Sequence, residues 1–436
     1  MAKKKTIILG AGLAGLSAAW HLQRSGVDCQ VFEKESEVGG LCRSKNINGF
    51  IFDYDGHLLH FKHDYSFNLV KNLLGDNLVK HKRNSWIYSY GKFTPYPFQA
   101  NLHGLPSGIV KDCLLGFINT LKDNRPVDKK TLTFLDWINR TFGKGIAEHF
   151  MIPYNTKFWT SPPDKLTCEW FDGFIPVPSL DQLVKGAVEG SVEAIGYNAH
   201  FWYPKKGGIA QVPLALFSQL KNVFVNSKIT EINLKKREIK IGSQNKEKFD
   251  YLIYTLPLPE IAYLIKGLSS EIASSCNKLR WNSIFNLNLG IDRVDNSEKH
   301  WIYFPQKELS FFRVGFPHNF SPGVVPPQKH SLYAEVSYPK NKPIDKNAII
   351  IKIKKDLKKV GILKENYKIF IQDTNDIKYG YPIYDKNYRR AREDILNFLR
   401  QDKILTCGRY GSWEYMTMED VILDGKRIAE NIVYKK

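Results

Sequence analysis

The stretch KTIILG at 5–10 is a short apolar run closed by glycine, which predicts a buried strand. Apolar side chains then recur at helical spacing (Leu13, Leu16, Ala19, Trp20, Leu22), which predicts a helix over 14–25. A second run, DCQVFEK at 28–34, predicts another strand, so the chain opens as strand, tight turn, helix, strand. From 101 to 195 the pattern turns helical, in GIVKDCLLGFINTLK, TFLDWINRTFGKGIAEHF and DQLVKGAVEGSVEAI. Residues 223–254 return to short strands, and 281–337 alternate apolar and polar like antiparallel strands. The last stretch reads as a strand at 403–411 and then a helix.

These patterns predict an α/β fold with interleaved domains. A Rossmann-like domain would take 1–80, 196–275 and 395–436. A helical domain would be inserted at 101–195. An antiparallel β-sheet domain would take 81–100 and 276–394.

With 436 residues, 43% of them hydrophobic, the chain can bury a large core and is neither disordered nor fibrous. No apolar run approaches the ~20 residues of a membrane span. The six cysteines (Cys29, Cys42, Cys113, Cys168, Cys276, Cys407) form no C-x-x-C pair, which argues for reduced thiols and a cytoplasmic setting. No metal site is expected. The start MAKKKTIILGAGLAGLSAAW has a basic then apolar order like a leader, but its glycines fit a nucleotide-binding turn better.

The net charge is +19, mostly lysine clustered in 228–248 and 341–368. Lysines there alternate with Ile, Val and Leu, as on the solvated faces of strands and an amphipathic helix. The charge could steer an anionic partner. No motif of clustered arginines and interleaved aromatics points to nucleic acid.

Gly10-Ala11-Gly12-Leu13-Ala14-Gly15 is a G-x-G-x-x-G set between a predicted strand and a predicted helix, and Glu33 ends the next strand. Gly10 makes the turn, Gly12 admits a pyrophosphate to the backbone, and Gly15 lets helix and sheet pack closely. The helix N-terminus faces the phosphates, and Glu33 accepts from a ribose. After Glu33 and Lys34, Gly39-Gly40-Leu41 bring a second glycine segment beside the nucleotide, which favours FAD over NAD. This stretch resembles the FAD-binding signature of the amine-oxidase and mutase flavoproteins. Gly56-His57 resembles the segment that passes the flavin ring.

Further blocks resemble the UDP-galactopyranose mutase family, particularly its eukaryotic type. They are Tyr96-Pro97-Phe98-Gln99 with Asn101, Phe150 to Trp159, Trp202 to Gly208, Trp301 to Pro305, Phe312-Arg313, Gly380-Tyr381-Pro382 and Gly408 to Tyr415. They fall in the family's order across nearly the whole chain. The resemblance implies isomerisation of a nucleotide sugar between pyranose and furanose forms with no net redox change. Reduced flavin N5 attacks the anomeric carbon of UDP-galactopyranose or a related nucleotide sugar, UDP departs, and the flavin-bound sugar opens, recloses and recaptures UDP. It implies that Tyr96, Gln99, Asn155 and Trp159 hold the uridine, with Trp301 in the same site. Tyr303, Arg313, Tyr381 and Tyr415 would hold the diphosphate. Arg409 and His57 would lie against the flavin, with Glu419 and Asp420 near the cofactor. The implied partners are a nucleotide-sugar substrate and, with no second nucleotide fingerprint present, a reductant that docks transiently, NAD(P)H or another. A homo-oligomer is compatible with the sequence, and the implied setting is cell-surface polysaccharide biosynthesis.

The chain departs from the family at three places, one of them Met416-Thr417-Met418-Glu419-Asp420 after Tyr415, which lacks the bacterial type's Asp-Met-His-Gln. Phe174 stands where the family has a diphosphate-binding arginine, and Lys157, Lys205 and Lys206 are the candidate replacements. His60 stands where the eukaryotic type has an apolar aromatic. The competing readings are an FAD-dependent oxidoreductase of the amine-oxidase or protoporphyrinogen-oxidase type, and a flavoprotein without activity.

Overall fold

In a computed structural model that describes residues 4–122, 128–171, 173–190, 196 and 199–434, Thr6–Leu9 is the middle strand of a five-stranded parallel sheet. The strand order is Ile404–Thr406, Tyr251–Tyr254, Thr6–Leu9, Cys29–Phe32, Val223–Phe224. Thr6–Leu9 is covered on both faces, which is why it reads as a continuous apolar run. Helix Leu13–Arg24 follows and packs on the last helix, Met418–Val433. Ser17 Oγ donates to the Ile422 carbonyl at 2.7 Å, joining the first and last segments in one unit.

The second sheet has seven strands in the order Ile369–Ile383, Arg280–Ile291, His330–Pro339, Arg313–Gly315, Trp301–Tyr303, Ser85–Ser89, Lys92–Pro95. It is antiparallel except that Trp301–Tyr303 runs parallel to Ser85–Ser89. The fold is therefore α/β, with a Rossmann-like parallel sheet, inserted helices and a largely antiparallel second sheet. One face of that sheet is covered by helix Lys346–Lys359, which buries Ile353 and Leu357 and exposes Lys355, Lys358 and Lys359. The other lysine-rich stretch forms the antiparallel meander Ile229–Asn233, Glu238–Ile241, Asn245–Lys248, with Ile232 and Ile239 inward. Both clusters are solvated faces of amphipathic elements.

The inserted helices are Ser107–Thr120, Phe134–Ile146, Ile152–Trp159 and Leu180–Val188. The single helix expected over 133–150 is kinked at Gly143, where φ is +74°, and widens into a π turn over Ala147–Met151. The helix expected to 195 stops at Val188, and residues 191–195 lie outside the described part. The sequence reading passed over strand Ile369–Ile383 and helices Asp64–Leu74 and Tyr388–Gln401. The strand carries Gln372, Asp373 and Asp376 among its apolar positions, and the Tyr388 helix is charged outside one buried stripe. None of the six cysteines is in a disulfide. Among the described residues, no helix is long and apolar enough to cross a membrane.

Candidate functional site

The glycine fingerprint lies on the turn from Thr6–Leu9 into Leu13–Arg24, with Gly12 as the residue before the helix. A Cβ at Gly15 would lie 2.0 Å from the Gly10 carbonyl oxygen, so only glycine lets this helix close on the turn. The second glycine segment meets the first, since a Cβ on Gly40 would lie 3.1 Å from the Gly12 Cα. Glu33 is buried and accepts from the Ala11 N–H at 2.8 Å and the Glu35 N–H at 3.0 Å. This carboxylate therefore shapes the turn at the nucleotide end.

These elements wall a cavity of about 920 Å³. Gly10, Gly12, Leu13, Ala14, Glu33 and Lys34 line its nucleotide end, and Gly39, Gly40, Leu41, His57 and Arg409 continue the wall. The two-glycine cradle, the open helix N-terminus and the volume of the cavity fit a dinucleotide such as FAD. Gly15 lies behind the wall as a packing residue. Glu419 and Asp420, expected near the cofactor, do not line the cavity. Glu419 is buried and accepts from the Lys62 and His63 N–H groups at 2.8–2.9 Å and from Ser66 Oγ, capping helix Asp64–Leu74. Asp420 forms a capping box with Thr417 at the start of Met418–Val433.

A second cavity of about 250 Å³ meets the first at Leu41, His57, Ile377 and Arg409. Gly56 borders it as well. Tyr96 and Gln99 enter from the turn after Lys92–Pro95, and Tyr154 and Asn155 from helix Ile152–Trp159. Trp301, Tyr303 and Arg313 come from the second sheet, and Tyr381 and Tyr415 close the far wall. Tyr96 and Tyr303 lie 5.3 Å apart by ring centroid, and Tyr381 stacks on Tyr415 at 5.8 Å. The Arg409 guanidinium sits 5.3 and 5.2 Å from those last two rings. Gln99 Nε2 donates to the Pro176 carbonyl at 2.6 Å, while its buried Oε1 has no partner among the described residues. An orphan acceptor in a cavity wall is suited to a ligand N–H. Trp159 does not line this cavity. It is 1% exposed and packs edge-on against Trp170 at 4.6 Å, a core position behind the wall.

Burial, reinforced by Arg409, holds the His57 imidazole down at about 4, so His57 is neutral near pH 7. Burial raises the phenols of Tyr96, Tyr303 and Tyr381, keeping them neutral donors. Arg313 makes a bidentate pair with Glu335, with Nη2 to Oε1 at 2.6 Å. Sequence reading missed Glu335. No local motif marks Glu335, and only strand pairing brings it to Arg313.

Phe174 lies in the cavity wall, edge-on to Tyr415 at 4.9 Å. The three lysines expected to replace the missing arginine do not line the cavity. Lys157 Nζ donates to the Phe304, Gln306 and Phe311 carbonyls at 2.5–3.0 Å, and Lys205 and Lys206 are exposed near Asn77. Cations do lie against the lining rings. Arg83 sits 4.6 Å from the Tyr96 ring and Lys62 sits 5.6 Å from the Phe174 ring. His60 also borders the cavity, its Nδ1 3.1 Å from the His200 carbonyl, with burial holding it at about 4.

A reduced UDP-galactopyranose mutase superposes with a TM-score of 0.93 at 26% identity, over 99% of this chain and 96% of that one. The resemblance to that family holds along the whole chain. A protein from Exiguobacterium sp. 255-15 assigned as a protoporphyrinogen oxidase superposes with a TM-score of 0.78 at 16% identity over 100% of both chains, a likeness of fold alone. An uncharacterised protein of the nifH2 3′ region in Methanothermococcus thermolithotrophicus is 42% identical over 60 residues. That match covers 14% of this chain and 58% of the relative's length. The family model described as flavin-containing amine oxidoreductase matches residues 13–433. With its glycine cradle and this match along nearly its whole length, the chain belongs to the flavin-containing amine oxidoreductase family, which implies FAD.

Proposed function

We propose that the chain is a flavin-dependent nucleotide-sugar mutase that interconverts pyranose and furanose forms of UDP-galactose or a related nucleotide sugar. The observation that carries this reading is the cavity at the flavin end, walled by phenols and the guanidinium groups of Arg313 and Arg409, in a chain that superposes end to end on a reduced mutase. Bound FAD, in its reduced form, supplies the nucleophile toward the anomeric carbon. The cofactor-facing roles fall to Gly10, Gly12, Leu13, Ala14, Glu33, Lys34, Gly39, Gly40, Leu41, Gly56, His57 and Arg409.

The chain's own residues bind and orient. Tyr96, Gln99 and Asn155 take the nucleoside, with the Gln99 Oε1 acceptor meeting the imide N–H of a uracil. Arg313 keeps its Nη1 donors for the diphosphate, because Nε and Nη2 are engaged by Glu335. Tyr303, Tyr381 and Tyr415 add donors without charge, so the departing diphosphate stays held and can return. Neutral His57 faces the flavin edge as a hydrogen-bonding group rather than a cation. Trp301 closes the wall, and Trp159 supports it from the core. FAD held here would need a reductant such as NAD(P)H to reach its reduced form.

Electron counting tests the reading. An isomerase primed once with reductant turns over many times, whereas an oxidoreductase of the amine-oxidase or protoporphyrinogen-oxidase type consumes oxidant in stoichiometric amounts at every turnover. Stoichiometric consumption would assign the oxidoreductase reading instead.

A further inference from the structure

Helix Ile152–Trp159 turns Tyr154 and Asn155 into the cavity, and Lys157, two residues beyond Asn155, points away from it. Its half-buried ammonium donates to the Phe304, Gln306 and Phe311 carbonyls at 3.0, 2.5 and 2.8 Å. An ammonium has three N–H donors, so three carbonyls use them all. Those carbonyls belong to one loop. Trp301–Tyr303 and Arg313–Gly315 form a hairpin in which Tyr303 is paired with Arg313, and residues 304–312 connect them. The Phe304 N–H closes the root of the loop on the Phe312 carbonyl at 2.9 Å. Lys157 therefore grips both arms of the hairpin just beyond Tyr303 and Arg313, which line the cavity.

The neighbouring ties hold the parts separately. Asn282 Nδ2 donates to the Phe158 carbonyl at 2.7 Å and fixes the end of the helix on strand Arg280–Ile291. On the outer side, helix Lys346–Lys359 holds the tip of the loop. Asp356 Oδ2 accepts from the Ser310 N–H at 2.7 Å, and Lys352 Nζ donates to the Glu308 carbonyl at 2.9 Å. Between helix and hairpin, Tyr154 meets Tyr303 and Phe158 meets Phe312 edge-on, at 5.4 and 5.2 Å. Apolar contact resists separation but has little direction, whereas the three charge-assisted bonds of Lys157 fix a position. Burial pulls the ammonium down to about 7, with Asp356 and Glu308 helping it keep its proton and Lys352 acting against it, so it is charged at pH 6.

We propose that Lys157 is a positioning residue that sets the distance between the nucleoside side of the site, on its own helix, and the diphosphate side, at Tyr303 and Arg313. A ligand that spans both sides gains from their correct spacing, because its second half then binds at high effective concentration. A ligand that meets one side alone gains nothing from it. The inference rests on the nucleotide-sugar reading, which supplies the two-part ligand.

The test compares UDP with its parts, uridine and inorganic pyrophosphate, on the FAD-loaded enzyme at pH 6. The wild type should bind UDP at least about a hundredfold more tightly than either part. Lys157→Met keeps most of the stem and removes the three donors. It should raise the Kd for UDP about tenfold and leave the Kd of uridine and of pyrophosphate within about twofold. Flavin content and melting temperature show that the variant folds, and Lys157→Gln, whose amide keeps two donors, replaces it if it does not. Equal weakening of UDP and both parts would make Lys157 a general support of the fold, and an unchanged Kd for UDP would leave it no role in the site. Either result overturns the proposal while the nucleotide reading stands. UDP bound no more tightly than pyrophosphate by the wild type would contradict the nucleotide reading and overturn the proposal with it.

Discussion

Arg313 is the guanidinium that lines the cavity from the second sheet, and Phe174 supplies no charge at the place where the related family has an arginine. A charge-assisted hydrogen bond to a phosphate contributes roughly 1.5–3 kcal/mol. Arg313→Ala should therefore raise the Kd for UDP about tenfold or more, measured by titration with flavin absorbance confirming the fold. An unchanged Kd would remove Arg313 from the site. The aromatic and arginine residues were legible because their blocks fall in a recognisable order along the chain. The carboxylate paired with Arg313 was not, since Glu335 reaches it only through sheet register. Trp159 shows the converse. Its block resembles the family's nucleoside site, yet packing against Trp170 places its ring in the core, and sequence order carries no information about which side of a helix faces the cavity.

Among the elements, the strand–turn–helix–strand opening was legible because each step has its own local chemistry: a buried run, glycines at the turn, helical spacing, then a second run. Strand Ile369–Ile383 was hidden because its pairing with Arg280–Ile291 tolerates polar residues along the exposed face. Glu419 illustrates how an acidic residue near a cofactor segment can have a structural task. It satisfies two N–H groups at the start of helix Asp64–Leu74, and it comes from the neighbouring helix Met418–Val433. Glu419→Gln should lower stability by about 1–3 kcal/mol, as loss of a charged cap does, while leaving FAD affinity unchanged. Urea denaturation and cofactor titration measure the two effects separately. A fall in FAD affinity without loss of stability would return Glu419 to the cofactor.

Across the whole molecule, burial leaves a signature in the pH dependence of folding. His57, His60, His300 and His318 are all held at about 4 by burial, against 6.5 for the free side chain. Between those values the unfolded chain binds more protons at these sites than the folded one, so the stability they contribute is full above about pH 6.5 and is lost as pH falls toward 4. Asp53, raised by burial to about 6, acts in the opposite direction below that value. Glu335, also raised by burial, acts in the same sense as Asp53, but four histidines outweigh two carboxyls, and the urea midpoint should fall between about pH 6.5 and pH 4.5. His60→Gln should flatten that fall, and an identical profile in the variant would show that His60 titrates normally.

The two cavities meet at His57 and Arg409, which places the proposed nucleotide-sugar site at the end of the flavin space. The most direct measurement is anaerobic. The FAD-loaded protein, reduced with dithionite, is mixed with UDP-galactopyranose and separately with UDP-galactofuranose, beside an oxidised control, and the products are resolved by chromatography. The mutase account predicts interconversion in the reduced sample alone, with UDP as the common nucleotide of both sugars. No interconversion by a reduced enzyme that binds UDP would contradict it and would point to Phe174 as the change that took the chain away from this substrate.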